Sequence, residues 1–133
     1  MSNIFGIGAD IVYVPRIEKV WQAYGDHFAK KILSANELTH FKTAPPLFPA
    51  KFLAKRFAVK EAVVKALGTG FSGGVRLPDI EMIHDDLGKP SVHFLGKTAQ
   101  VLKNNQIIST QLTTSDEKEY VVAFVVMLAM SEK

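Results

Sequence analysis

The sequence predicts an α+β fold in which an antiparallel sheet packs against one long central helix. Three observations predict it. Ile4 to Val12 alternates side chains with the two-residue period of a strand. Pro49 to Leu67 reads as a helix, opened by a proline suited to the first turn and closed by Gly68 just past its end. Ile107 to Thr114 and Tyr120 to Leu128 read as a closing hairpin, with Ser115 to Lys118 at its tip. The last of these strands is rich in Val and Phe and is expected at the sheet centre.

Each element has its own reason. In the first strand Phe5, Ile7, Ala9 and Ile11 share one face, and Gly6, Gly8, Asp10 and Val12 share the other. Glycine inside a strand marks close approach by a ligand or another backbone, so the glycine face is expected to stay open. Asp10 is then either an acid at such a site or an ordinary capping residue. Pro15 opens a helix that runs to about Tyr24, with Ile17, Val20, Trp21 and Tyr24 as its apolar stripe and Gly25 as its stop. Arg16 and Lys19 lie on its exposed flank. A short helix follows over Asp26 to Leu33. Ser34 and Glu37 form a capping box for the next helical turn, and Thr43 to Pro49 is a proline-rich loop. Val75 to Leu77 and Ile80 to His84 read as short strands. Gly88-Lys89-Pro90 turns the chain into Ser91 to Leu95, and Lys97 to Asn104 reads as helix.

Composition bounds the function. The 133 residues fit one domain, 1–133, and 47% hydrophobic content supplies a core. There is no cysteine, hence no disulfide framework and no thiol nucleophile. The four histidines, His27, His40, His84 and His93, are scattered and offer no zinc cluster. The first residues lack the basic region of a secretion signal, and the apolar run Tyr120 to Met130 is too short to span a bilayer. The chain is expected to be cytoplasmic, with no membrane partner. Residues 1–65 carry ten Lys/Arg against five acids, whereas residues 66–133 carry six against eight. The basic front half is suited to an acidic partner or a polyphosphate.

The central helix concentrates that charge. Leu53, Phe57 and Val64 form one apolar stripe, and Phe52, Val59, Val63 and Ala66 lie opposite, so the helix is expected to be buried. Glu61 sits within the first stripe. Arg56 and Lys60 are four apart, as are Lys51 and Lys55, and like charges at that spacing repel. A bound polyanion would turn that repulsion into attraction. Glu61 and Lys65 also make a favourable i,i+4 pair, which is the purely structural reading of both.

Taken together, Gly6-Ile7-Gly8-Ala9-Asp10-Ile11-Val12, Arg56-Phe57-Ala58-Val59-Lys60-Glu61-Ala62 and Lys65-Ala66-Leu67-Gly68-Thr69-Gly70 resemble the holo-[acyl-carrier-protein] synthase group of 4′-phosphopantetheinyl transferases. The resemblance spans essentially the whole chain. It implies the phosphopantetheinyl transferase fold and a homotrimer with each active site at a subunit junction. It implies transfer of the 4′-phosphopantetheine arm of coenzyme A to a serine of apo-acyl carrier protein, releasing 3′,5′-ADP in support of fatty acid synthesis. By the same resemblance Asp10 and Glu61 hold Mg²⁺ and are the catalytic acids. Arg56 and Lys65, with Lys60 ranked lower, contact coenzyme A phosphates, with Gly68, Thr69 and Gly70 as the backbone cradle. Arg16 meets acidic residues of the carrier.

Two carboxylates completed by phosphate oxygens and water suit magnesium. The glycine loop follows a helix C-terminus, where the dipole disfavours anions, so the cations must outweigh it. The proton of the attacking serine goes to Asp10, Glu61 or a water held by the ion. Many relatives have a Ser-His pair near the last hairpin, where this chain has Thr114-Ser115-Asp116-Glu117. No histidine is therefore assigned a role, and Asp116 reads as a turn residue. Gly68 to Gly73 also spells G-x-G-x-x-G, but after a helix rather than a strand, which excludes a dinucleotide fold. Two rival functions are a magnesium-dependent hydrolase of nucleotide pyrophosphates and a basic nucleic-acid module. The second lacks interleaved exposed aromatics, so no nucleic-acid partner is expected.

Overall fold

The computed structural model describes residues 2–131. Strand β1 (Ser2–Tyr13) leads into helices α1 (Val14–Tyr24), α2 (Asp26–Ile32), α3 (Ala35–Thr43) and α4 (Pro49–Leu67). A hairpin, β2 (Ile80–His84) and β3 (Pro90–Phe94), helix α5 (Gly96–Asn104) and strands β4 (Ile107–Glu117) and β5 (Tyr120–Met130) complete the order. The main sheet runs β1-β5-β4, antiparallel throughout, and β2-β3 forms a second antiparallel pair. The apolar last strand is central, as its composition predicts. The core joins Leu53, Val59, Ala62 and Val63 of α4 to Val121, Val125 and Met127 of β5, all fully buried.

The seam between β1 and α4 positions the site. A Cβ at Gly6 would collide with the Ala66 carbonyl oxygen, and one at Gly8 with that of Ala62. The glycine face of β1 is therefore not open. It is closed by the backbone of α4, which only glycine admits this close. The apolar face of β1 points outward: Ile7 is 62% and Ile11 64% exposed, beside Phe124 at 41%. In register, Ile11 faces Val122, Ala9 faces Phe124 and Ile7 faces Val126, making a continuous apolar sheet face.

Three local readings change. Val75 to Leu77 is not a strand; 3₁₀ turns at Ser72–Gly74 and Leu77–Asp79 flank it. Positive φ at Gly73 and Gly74 and a proline at 78 break the extended chain there. The Arg76 amide donates to the Thr98 hydroxyl instead of to a neighbouring strand. The hairpin tip is Lys118-Glu119, because β4 pairs as far as Glu117 with Tyr120. Tyr24 is 64% exposed and leaves the α1 stripe, whose buried member is Ile17.

Candidate active site

Asp10 and Glu61 are far apart in sequence and meet across the β1–α4 seam. Two residues beyond Gly8, Asp10 stands beside the helical turn that carries Glu61. Its carboxylate accepts from the Lys65 ammonium, Nζ to Oδ1 3.1 Å, and the same nitrogen donates to the Ala9 carbonyl at 2.9 Å. Burial holds the Glu61 carboxyl above the usual carboxylate range, the Asp10 charge pushes it further up, and Lys65 pulls it down. Two acids that repel each other at a half-open surface are suited to share a divalent ion. Among the described residues no group of three or more His, Cys, Asp or Glu could hold a metal. An ion here would have two protein ligands and would draw the rest from substrate and water, a donor set that fits magnesium.

Of the other cations of α4, Lys51, Lys55 and Lys60 are paired with carboxylates inside the chain. Lys60 is fully buried, donates to the Ile32 carbonyl at 2.7 Å and pairs with Glu37. Burial pushes the Lys60 ammonium down in pKa, and its contact with Glu37 opposes that. Lys60 is thus a structural cation, and its suggested place beside coenzyme A phosphates is corrected. Glu37 completes the capping box expected at Ser34, and also accepts from the Met82 amide at 3.0 Å. Arg56 lies across the ring of Phe52, 3.6 Å from its centroid, with Nε 3.5 Å from Glu37 Oε2. That buried Nε makes no hydrogen bond among the described residues. Asp116 is not a simple turn residue: it bridges Lys51 at 2.5 Å and Lys55 at 3.8 Å. Both i,i+4 repulsions read as signs of a polyanion are therefore relieved by carboxylates of the protein.

The remaining assigned residues divide by position. Nine helical residues separate Arg56 from Lys65, a rotation of about 180° and a rise of about 14 Å, so Arg56 faces away from Asp10 and Glu61. Burial and the nearby Arg56 and Lys55 charges depress the pKa of His84 on β2. Gly68 is a left-handed C-cap whose amide bonds the Val64 carbonyl at 3.2 Å, while Thr69 and the positive-φ Gly70 are exposed beyond it. Arg16 is exposed on α1 and lines a shallow depression with Tyr13, Pro15 and Lys19. Sequence reasoning missed the Glu37–Lys60–Arg56 cluster because Glu37 had already found a local use as a cap. A second acceptor oxygen left over in that box was the available signal.

Comparison with known proteins identifies the family. The profile of the 4′-phosphopantetheinyl transferase superfamily matches residues 6–125. The holo-[acyl-carrier-protein] synthase of Halorhodospira halophila is 47% identical over 94% of this chain and 98% of its own. The crystal structure of the Neisseria meningitidis holo-[acyl-carrier-protein] synthase superposes with a TM-score of 0.87 at 42% identity, covering 94% of this chain and 98% of that one. The Bacillus anthracis synthase, solved in complex with CoA (3′,5′-ADP), superposes with a TM-score of 0.77 at 38% identity, covering 96% and 98%. With the fold and these matches in agreement, the chain belongs to the holo-[acyl-carrier-protein] synthase family of 4′-phosphopantetheinyl transferases.

Proposed function

We propose that the chain, residues 1–133 acting as one domain, moves the 4′-phosphopantetheine arm of coenzyme A onto a serine of apo-acyl carrier protein, with Asp10 and Glu61 holding Mg²⁺. The transferase activity follows from the family. The observation that supports the site is the convergence of Asp10 and Glu61 across the seam, with Glu61 held in a raised-pKa state partly by Asp10. The serine oxygen forms a bond to the β-phosphorus of coenzyme A. The diphosphate P–O bond breaks, 3′,5′-ADP departs with the electron pair, and the hydroxyl proton passes to a base. When bound, the magnesium ion neutralises charge on the diphosphate. Lys65 lies beside Asp10 and receives the phosphates together with the exposed backbone at Thr69 and Gly70, just past the end of the same helix. Gly68 positions that loop through its left-handed cap. Arg16, on the exposed flank of α1, meets acidic groups of the carrier and steers the encounter.

Two features support a homotrimer with its sites at subunit junctions. Arg56 faces away from Lys65 on its own helix, so it serves a phosphate best from a neighbouring copy. The outer face of the main sheet, with Ile7, Ile11, Val122 and Phe124, is an exposed apolar patch of the kind that marks an interface. Among the described residues no helix is long and apolar enough to cross a membrane, which is compatible with work in the cytoplasm.

Mass spectrometry of apo-acyl carrier protein tests the reading. Incubation with this protein, coenzyme A and Mg²⁺ adds one phosphopantetheine to the carrier, and coenzyme A alone stays intact. An unmodified carrier, or coenzyme A cleaved in its absence, would reject transfer in favour of hydrolysis or no reaction.

A further inference from the structure

We infer that the Lys65 ammonium stands in for the divalent ion at Asp10 in the substrate-free protein, and is released to the phosphates of coenzyme A when the ion enters. The inference rests on the reading of Asp10 and Glu61 as the metal ligands and concerns the order in which their site fills. Lys65 comes from the last turn of α4 and reaches across to β1, where it donates to Asp10 Oδ1 at 3.1 Å and to the Ala9 carbonyl at 2.9 Å. Its side chain is 56% exposed, whereas that of Asp10 is 17% exposed. The acid is therefore fixed in the seam and the cation is the mobile partner.

An ammonium and a dication cannot both be held at Asp10 without strong repulsion, since two cations on one acid are separated by only a few ångströms. Exposed lysine pairs are weak, so the exchange is feasible. The contrast with Lys60 is informative: buried and locked between Glu37 and Ile32, that lysine cannot exchange. Once displaced, Lys65 has its flexible stem and three donors free for an anionic ligand. Ion binding then raises the affinity for coenzyme A by more than the ion's own contacts supply. By linkage, coenzyme A raises the affinity for the ion by the same factor.

Two binding measurements on the full chain test this. Mn²⁺ binding without coenzyme A is followed by electron paramagnetic resonance in wild type, Lys65→Met, Lys65→Gln and Asp10→Asn. The account expects about three- to tenfold tighter Mn²⁺ binding in both lysine variants, from loss of a competing cation. Coenzyme A binding is then measured by calorimetry with Mg²⁺ and with chelator. Lys65→Met is expected to weaken it about tenfold with the ion and less than about twofold without it, a coupling of ordinary allosteric size. Unchanged Mn²⁺ affinity in the lysine variants, or the same loss of coenzyme A affinity with and without Mg²⁺, would overturn the exchange. In both cases the metal assignment stands if Asp10→Asn abolishes Mn²⁺ binding. If Asp10→Asn binds Mn²⁺ as wild type does, or no protein binds it even with coenzyme A present, the assignment itself fails and the exchange with it.

Discussion

Lys60 and Glu61 are adjacent on α4 and meet opposite surroundings. Lys60 points into the core, where Glu37 and the Ile32 carbonyl satisfy it and Arg56 shares the same acid. Glu61 points into the β1–α4 seam, where its neighbour is a second acid. One cluster is closed: a buried charge with its partners supplied by the chain, which fixes α3, α4 and β2 against one another. The other is left with surplus negative charge at a half-open surface. The same residue types thus make a structural joint on one side of the helix and, on the other, the site proposed to hold the metal. Charge content alone does not separate them; the local balance of charge does.

The sharpest way to break the comparison is to open the closed cluster. Glu37→Ala leaves Lys60 buried without its acid and removes a helix cap, and should cost about 3–5 kcal/mol in denaturant unfolding. Retained stability would mean that Lys60 is not held by Glu37. The open cluster should respond in the reverse sense. Asp10→Ala or Glu61→Ala should stay folded and lose magnesium-dependent turnover by about a hundredfold or more. Full activity in either variant removes the metal assignment.

Gly8→Ala tests the seam that joins the two halves. Its Cβ would meet the Ala62 carbonyl, so α4 must shift, at about 1–3 kcal/mol, and turnover should fall along with stability. Arg16→Ala should raise the KM for carrier protein several-fold, by about 1 kcal/mol or less, and leave that for coenzyme A nearly unchanged. Equal loss for both substrates would reject its role as a carrier contact.

The smallest effect concerns pH. The folded Glu61 has a raised pKa, so the metal-free native state binds its proton more tightly than the unfolded chain. Stability therefore falls as pH rises from the ordinary glutamate range through the raised value. Glu61→Gln removes that penalty. It should stabilise the metal-free protein at neutral pH by a screened ~0.3–1 kcal/mol and give no such gain below about pH 4. A gain of the same size at both pH values would exclude ionisation as the cause.

Much of this was legible from residues that encode local rules. The proline and glycine at the ends of α4, the Ser34–Glu37 box and the Val-rich last strand each have a short-range cause, and each stands in the structure. The pairing of Asp10 with the helix was legible only through resemblance to relatives. The glycines beside it signalled a close approach without saying that a helix backbone made it. What stayed hidden depends on contacts distant in sequence. Asp116 reads as a turn residue until β4 brings it to Lys51 and Lys55. Arg56 and Lys65 read as one cationic set until the helix turns them apart. The outward apolar face of β1 departs from the tendency of apolar faces to be buried, a tendency that leaves much of any folded surface apolar.

The most direct test is the titration of the Glu61 side-chain carboxyl, followed by carbon NMR in wild type and Asp10→Asn, with and without Mg²⁺ and coenzyme A. The account predicts a value above the ordinary glutamate range in the metal-free protein, lowered by Asp10→Asn. It predicts a further marked drop in wild type when Mg²⁺ and coenzyme A are present. A Glu61 titration that ignores both the charge at residue 10 and the added ion would contradict the claim that these two acids form one site.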